Sequence, residues 1–243
     1  MLSTDAVMEA MQRGLSHGGE DLKSAILLAE SLPEPGSGPD DRMAEIVFQV
    51  GFHAEALCDW ARCKRLYERC LRYPVHDTNI HAGAWFRCGW CAERLCDWRG
   101  AIEVYRQALL LGRDWPHMMD LARWRLAQLY LSASRYEEAS QLLVELRDAA
   151  PHPEIPSSIL TIRLAQTLLR CGRPLDARRE LEPHTSGAEG SHLNLEACEL
   201  LAEVYEELGR SDAAAECYRR ILASPGTGKE IRVAAVHRLA DLR

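Results

Sequence analysis

Leu57-Cys58-Asp59-Trp60 returns later in the chain as Leu95-Cys96-Asp97-Trp98, at an interval of about 38 residues that is typical of repeat proteins. In each copy a small residue follows the tryptophan by three positions and a tyrosine follows it by seven. These small and large positions continue along the chain as Cys63 and Tyr67, Ala101 and Tyr105, Ala139 and Leu143, Ala177 and Leu181, and Ala214 and Tyr218. A period of this length predicts a chain built from repeated supersecondary units.

A second helical pattern precedes each of these segments and carries its own small residue at a fixed phase: Gly51, Gly89, Ala127, Ala165 and Ala202. Apolar residues one position before and three after share a helix face with it, so a neighbouring helix can approach closely. Cys171-Gly172-Arg173-Pro174 and Leu208–Asp212 read as turns between paired helices. Prolines are expected to end the repeats, at Pro74, Pro151, Pro183 and Pro225.

This arrangement resembles the tetratricopeptide repeat family, whose pattern is W-x2-L-G-x2-Y, then A-x3-F, then P. The best matches are Trp85-x2-Cys88-Gly89 with Ala101-x3-Tyr105, and Leu201-Ala202-x2-Tyr205 with Ala214-x3-Tyr218. The chain departs from the family in its period, which is longer than the family's period of about 34 residues. We therefore expect the helices or their connections to be about four residues longer than in the family.

The resemblance implies an all-α fold, a right-handed α-solenoid of about six helix-turn-helix repeats with a C-terminal capping helix. We expect a single domain over residues 1–243, because each helical pair buries the apolar face of its neighbour. The repeats are placed near 6–39, 44–77, 82–115, 120–153, 158–190 and 195–228, with the capping helix at 230–242. Five residues of that last helix are expected to face inward: Ile231, Ala234, Ala235, Val236 and Leu239.

The resemblance also implies which first-helix positions line a concave groove. In this chain those positions hold Phe48, Phe52, Phe86, Arg87, Trp90, Trp124, Arg125, Gln128, Arg163 and Gln166. Aromatic rings anchor partners by burial, and arginine binds carboxylates and stacks on rings. We therefore predict a partner-binding groove for a protein or peptide with apolar and acidic residues. The last repeat is acidic on the same surface, with Glu199, Glu203 and Glu206, and would favour basic residues.

Two other interpretations of these side chains stay open: they fill the core between helices, or a second copy of the chain covers them. Accordingly we expect a non-enzymatic adaptor or scaffold for protein binding. The alternatives are a regulatory or sensor repeat module controlling an enzyme or transcription assembly, and a self-associating homo-oligomeric scaffold. The clamp with which some family members grip chaperone C-termini is excluded, because its lysine and asparagine positions hold Phe48 and Phe52, or Phe86 and Trp90.

The composition of the chain restricts its partners and its compartment. A net charge of −7 and a pI of about 5.7 disfavour a protein that coats nucleic-acid phosphates. No window reaches the roughly 20 apolar residues that a bilayer crossing needs, and no targeting segment is visible, so we expect no membrane insertion. Nine cysteines are an odd number for a disulfide framework, which favours the cytoplasm.

Few residues of the sequence suggest a catalytic, metal-binding or cofactor-binding site. Cys88, Cys91 and Cys96 have a spacing at which thiolates could share a metal. However, Cys63, Cys70 and Cys88 occupy positions where the repeat needs a small apolar residue, and a free thiol packs well there. No metalloprotease helix or nucleophile elbow occurs, and the segment 226–230 lacks part of the phosphate-loop pattern. The sequence therefore predicts neither an enzyme nor a bound cofactor.

Overall fold

The computed structural model describes residues 4–17, 19–111, 115–185, 192–224 and 227–242. Within these ranges the chain forms thirteen α-helices and no strand, apart from one isolated antiparallel bridge between His152 and Ile155. The chain divides into two compact units, Met1–Leu126 and Ala127–Arg243. The single domain expected from the sequence stays a prediction.

Helical hairpins build the first unit, and in each hairpin a first helix packs against a second helix. A short 3-10 helix, Glu55–Leu57, directly follows the first helix of the second hairpin. The helices are α1 (Thr4–His17), α2 (Gly19–Ser31), α3 (Asp41–Ala54), α4 (Trp60–Cys70), α5 (Thr78–Arg94) and α6 (Trp98–Leu111), followed by α7 (Pro116–Ser132), within which the division between the units falls.

The second unit continues the same alternation of first and second helices. In it α9 packs against α10, α11 packs against α12, and α13 lies against α12. After the end of α7 come α8 (Tyr136–Asp148), α9 (Ser157–Arg170), α10 (Pro174–Thr185), α11 (His192–Glu207), α12 (Ser211–Ala223) and α13 (Lys229–Asp241).

The structure confirms the all-α helix-turn-helix architecture and shows where the longer period is accommodated. First helices begin at residues 41, 78, 116, 157 and 192, against predicted repeat starts of 44, 82, 120, 158 and 195. Four of these five helices therefore begin three or four residues before the predicted start, and α5 and α7 reach 17 residues. The expected stop at Pro183 is wrong, because this proline lies inside α10, which continues to Thr185. Pro225 lies outside the described residues.

Each hairpin of the first unit that follows the repeat pattern has a tyrosine packed on a glycine. A Cβ atom added to Gly51 would lie 2.9 Å from the ring of Tyr67, and one added to Gly89 would lie 2.7 Å from the ring of Tyr105. Both tyrosines are completely buried. Since a ring cannot approach so closely over a Cβ, the glycines set the separation of the paired helices.

The turns inside the five hairpins from α3 to α12 share a left-handed residue. One residue adopts the left-handed region, with φ between 56° and 69°, at Cys58, Cys96, Ser134, Gly172 and Gly209. An aspartate then caps the second helix in two repeats: Asp59 accepts the N–H of Arg62 at 3.1 Å, and Asp97 accepts the N–H of Gly100 at 3.0 Å. The repeated Leu-Cys-Asp-Trp segment therefore contains a left-handed turn residue, a helix cap and the first residue of a helix.

The last helix does not bury the face that the sequence predicts. Of Ile231, Ala234, Ala235, Val236 and Leu239, only Ala235 is buried, and Val236 is 54% exposed. Ile231 and Leu239 are half-buried. The prediction is wrong because α13 meets α12 through a narrow strip, which is too small to cover every apolar residue of the helix.

The left-handed turn predicts opposite effects of two substitutions. Cys96→Gly should raise the free energy of unfolding by about 1 kcal/mol, because glycine adopts this conformation without steric cost. Gly172→Ala should lower it by about 1 kcal/mol for the same reason. Urea unfolding followed by circular dichroism measures both changes. Cys96→Ala is the matched control, and a gain from it as large as that from Cys96→Gly would contradict the explanation.

Candidate functional site

The ten residues predicted to line a groove are divided between the two units. Phe48, Phe52, Phe86, Arg87, Trp90, Trp124 and Arg125 belong to the first unit, on α3, α5 and α7. Gln128, Arg163 and Gln166 belong to the second unit, on α7 and α9. Each unit therefore has to be considered as a site of its own.

The phenylalanines differ in how far they reach solvent. Phe86 is only 5% exposed, and its ring centroid lies 5.6 Å from that of Tyr105. Phe48 is half-buried and lies 5.6 Å from Tyr67. Phe52, in contrast, is 42% exposed. The prediction that Phe86 lines a groove is wrong, because its phase on α5 directs the ring against the second helix of its own hairpin.

Arg87 is bound by side chains of the preceding hairpin. The Tyr67 hydroxyl donates to Glu55 Oε1 at 2.5 Å, and Arg87 Nη1 donates to Glu55 Oε2 at 3.2 Å. The guanidinium group of Arg87 also lies 4.7 Å from the centroid of the Phe52 ring. Glu55 is four residues after Gly51 and therefore lies on the same helix face. Because the Tyr67 ring packs on Gly51, this position brings the Glu55 carboxylate to the Tyr67 hydroxyl. We call such a set of ring, glutamate, tyrosine and arginine a rung.

The second rung repeats the first one, displaced by one repeat period in the sequence. Tyr105 donates to Glu93 Oε1 at 2.5 Å, Arg125 Nη1 lies 3.8 Å from Glu93 Oε2, and the Arg125 guanidinium lies 4.2 Å from the Trp90 ring. Burial, and next the negative charge of Glu93, raise the pKa of Tyr105 far above its ordinary value. The hydroxyl therefore stays protonated and serves as a donor throughout the physiological pH range.

A rung without the aromatic ring is found in the second unit. Tyr218 donates to Glu206 Oε1 at 2.7 Å, and Arg238 Nη1 lies 3.4 Å from Glu206 Oε2. Glu203 takes the sequence position that Phe52 and Trp90 have in the earlier rungs. Each of the three arginines follows its glutamate at the same interval in the sequence, so every rung joins the end of one first helix to the helix that begins the next repeat.

The rungs change how the predicted arginines have to be interpreted. Arg87 and Arg125 already have carboxylate partners, so a carboxylate from another protein would have to compete with Glu55 and Glu93. Sequence reasoning missed these glutamates. The signal was present, because Glu55 and Glu93 are separated by the repeat period and each is paired in sequence with a tyrosine twelve residues later.

The second unit contains an open cavity of about 860 Å³ on its first helices. Arg163, Gln166 and Arg170 of α9 line one wall, and Glu203 and Glu207 of α11 line another. Burial, and next repulsion by neighbouring Glu199, raise the pKa of Glu203. The cavity therefore presents arginines and glutamates on different helices.

Four of the six cysteines of the first unit are packing residues, and Cys58 and Cys96 are exposed. Cys63, Cys70, Cys88 and Cys91 are buried. Burial raises the pKa of Cys63 to about 11 and those of Cys70 and Cys91 to about 12, so the metal-binding thiolate form is disfavoured. Across the part of the chain that the structure describes, no three histidine, cysteine, aspartate or glutamate side chains are placed to hold a metal ion. The helices described there are also too short or too polar to cross a bilayer.

The second rung predicts a stability loss that depends on charge. Glu93→Gln should lower the free energy of unfolding by about 1.5–3 kcal/mol, because Tyr105 loses a hydrogen bond to a charged acceptor and half-buried Arg125 loses its ion-pair partner. Urea unfolding measures the loss. Glu103→Gln on α6 is the control: Glu103 forms an exposed pair with Arg106 at 3.7 Å and should change stability by less than about 1 kcal/mol. Equal effects of the two substitutions would show that the rung contributes no more than a surface ion pair.

The chain is similar to known proteins in both sequence and structure. Two family models, both described as tetratricopeptide repeat, match residues 97–157 and 197–230. No curated protein matches the sequence. Solved structures with the same fold include MamA AMB-1, at 17% identity and a TM-score of 0.58, with 80% of this chain and 98% of that chain covered.

Two further structures have similar folds. YrrB, described as a tetratricopeptide repeat protein with an unusual peptide-binding site, is 13% identical at a TM-score of 0.59, with 80% and 90% of the two chains covered. PilF of Pseudomonas aeruginosa is 18% identical at a TM-score of 0.51, with 83% and 87% covered. Together with the repeat period and the helical hairpins, these matches show tetratricopeptide repeats at residues 97–157 and 197–230 and an all-α fold like that of tetratricopeptide repeat solenoids.

Proposed function

We propose that this protein is a non-enzymatic adaptor that binds a segment of a partner protein in the cavity of its second unit. Tetratricopeptide repeats are protein-interaction modules, which supports the general role. The peptide-binding site described for YrrB is a property of that protein, but it shows that the fold can present such a site. The observation that carries the proposal is the open cavity on α9, α11 and α13.

The size of the cavity suits a short stretch of polypeptide. Its volume of about 860 Å³ lies in the range of about 300–1,000 Å³ that is common for ligand sites. Arg163 and Arg170 on one wall and Glu203 and Glu207 on another favour a segment that carries both an acidic and a basic residue. Because opposite charges on two walls fix the direction of a bound chain, we expect one orientation of the segment.

The first unit offers a different kind of surface. Phe52 and Trp90 are partly exposed and each has an arginine stacked on it, while Trp124 is half-buried. These rings suit apolar residues of a partner, because aromatic side chains contribute strongly to binding when they are covered. We therefore expect the partner's apolar residues to contact the first unit and its acidic residues to contact the second unit.

None of the nine cysteines, all of which lie within the described residues, forms a disulfide bond. This supports a reducing compartment such as the cytoplasm.

Self-association is a second candidate function, and the exposed face of α13 favours it. Val233 and Val236 are 50% and 54% exposed, and Ala240 on the same face is also exposed. Light scattering at two protein concentrations distinguishes the two functions. A mass that stays at 27.3 kDa would exclude self-association through this face.

A charge exchange in the cavity tests the proposed function. Twelve-residue random peptides are selected on the immobilised protein, and their affinities are measured for the wild type and for Arg170→Glu/Glu203→Arg. We expect about tenfold weaker binding by this variant, because both walls then present the wrong charge. The net charge of the protein is unchanged by the exchange.

The control is the same exchange at the exposed Glu103–Arg106 pair of α6, Glu103→Arg/Arg106→Glu, which should leave the affinities unchanged. Circular dichroism confirms that both variants are folded. Selection of no peptides, or equal affinities for all three proteins, would contradict binding in the cavity.

A further inference from the structure

Arg163 occupies a rung position from which every other member of the rung is missing. It follows Arg125 by the same interval as Arg125 follows Arg87, one repeat period. The position of the ring holds Gln128, that of the glutamate holds Leu131, and that of the tyrosine holds Leu143. The three partners of the arginine are thus replaced together, while the arginine itself is retained.

The structure shows what this replacement does to the arginine. Arg163 is exposed, and no carboxylate of the described residues lies within 4.0 Å of its guanidinium group. It makes one long hydrogen bond, to Gln166 Oε1 at 3.4 Å. Leu131 lines the same cavity as Arg163, so the position of the rung glutamate holds an apolar side chain at the cavity surface. This contrasts with Arg238 in the same unit, which is held by Glu206.

A second group nearby in the sequence also needs an acceptor. The Nε2 atom of Gln128 is buried and has no hydrogen-bond partner within the described part of the chain. A buried amide donor that lacks an acceptor lowers the stability of a folded protein. The structure therefore contains a free guanidinium group and an unsatisfied amide at two positions of one incomplete rung.

We propose that Arg163 binds a single aspartate or glutamate side chain of the partner segment, which takes the place of the missing rung glutamate. This inference rests on the proposed peptide-binding function and names the residue that decides its specificity. A guanidinium group binds a carboxylate through two parallel donors, and such charge-assisted hydrogen bonds are about twice as strong as neutral ones.

The opposite wall limits the ligand to one carboxylate at this point. Glu203 and Glu207 line the same cavity and repel a polyacidic segment, since like charges facing each other reduce affinity. A basic residue next to the acidic one would pair with these glutamates. The preferred occupant is therefore a partner segment in which one acidic residue is close to a basic residue, rather than a run of acidic residues.

The first test uses a double-mutant cycle between peptide and protein. Peptides selected on the wild type should share an acidic residue at one position. Replacing that Glu with Gln in the peptide should weaken binding to the wild type about tenfold, which corresponds to about 1.4 kcal/mol. In Arg163→Gln the same peptide change should cost less than about twofold. Isothermal titration measures the four affinities, and circular dichroism verifies the fold of the variant.

A second variant supplies the missing carboxylate from within the chain. In Leu131→Glu the new carboxylate should pair with Arg163 and weaken the binding of the acidic peptides about tenfold. Leu131→Gln, of nearly equal size and without charge, should retain most of the affinity for these peptides. If the peptide carboxylate contributes equally with and without Arg163, the inference is overturned while binding in the cavity stands. If neither Leu131→Glu nor the exchange of Arg170 and Glu203 alters binding, the proposed function fails as well.

Discussion

A tyrosine ring packed over a residue without a side chain is the contact on which two hairpins of the first unit, α3–α4 and α5–α6, depend. It brings the two helices of a hairpin together and carries the phenolic hydroxyl to the end of the first helix. Glu55 and Glu93 lie there, one helical turn after Gly51 and Gly89. Each glutamate then holds an arginine of the following first helix. One steric constraint thereby sets both the packing within a hairpin and the polar connection to the next one.

The fold could be predicted from the sequence because the repeat period is a property of the backbone pattern. Helix pairs, turn positions and the contacts between small and large residues all recur with this period. The pattern can therefore be recognised even where single repeats depart from it. Two details failed because they depend on neighbours that a periodic pattern does not specify. Pro183 lies inside α10 instead of after its end. The apolar residues of α13 stay exposed because α12 covers only one narrow strip of that helix.

The candidate site was less predictable than the fold. The family pattern selects positions on the first helices, but it does not say whether a side chain faces a groove or packs within its hairpin, as buried Phe86 does. The arginines were recognised and their intramolecular carboxylates were not, because Glu55 and Glu93 lie at the helix ends where sequence reasoning assigns solvated residues. The rungs use the same chemistry that would recognise a ligand. An arginine series is therefore informative about binding only where its internal partners are absent.

Arg87 and Arg125 have carboxylate partners within the protein, whereas we propose that Arg163 binds a carboxylate of another molecule. Arginine side-chain NMR during a titration with acetate measures this most directly, since each guanidinium group reports its own binding. We expect a saturable shift of the Arg163 signals, while those of Arg87 and Arg125 stay in place. Equal shifts of all three arginines, or a shift of Arg125 without one of Arg163, would contradict it.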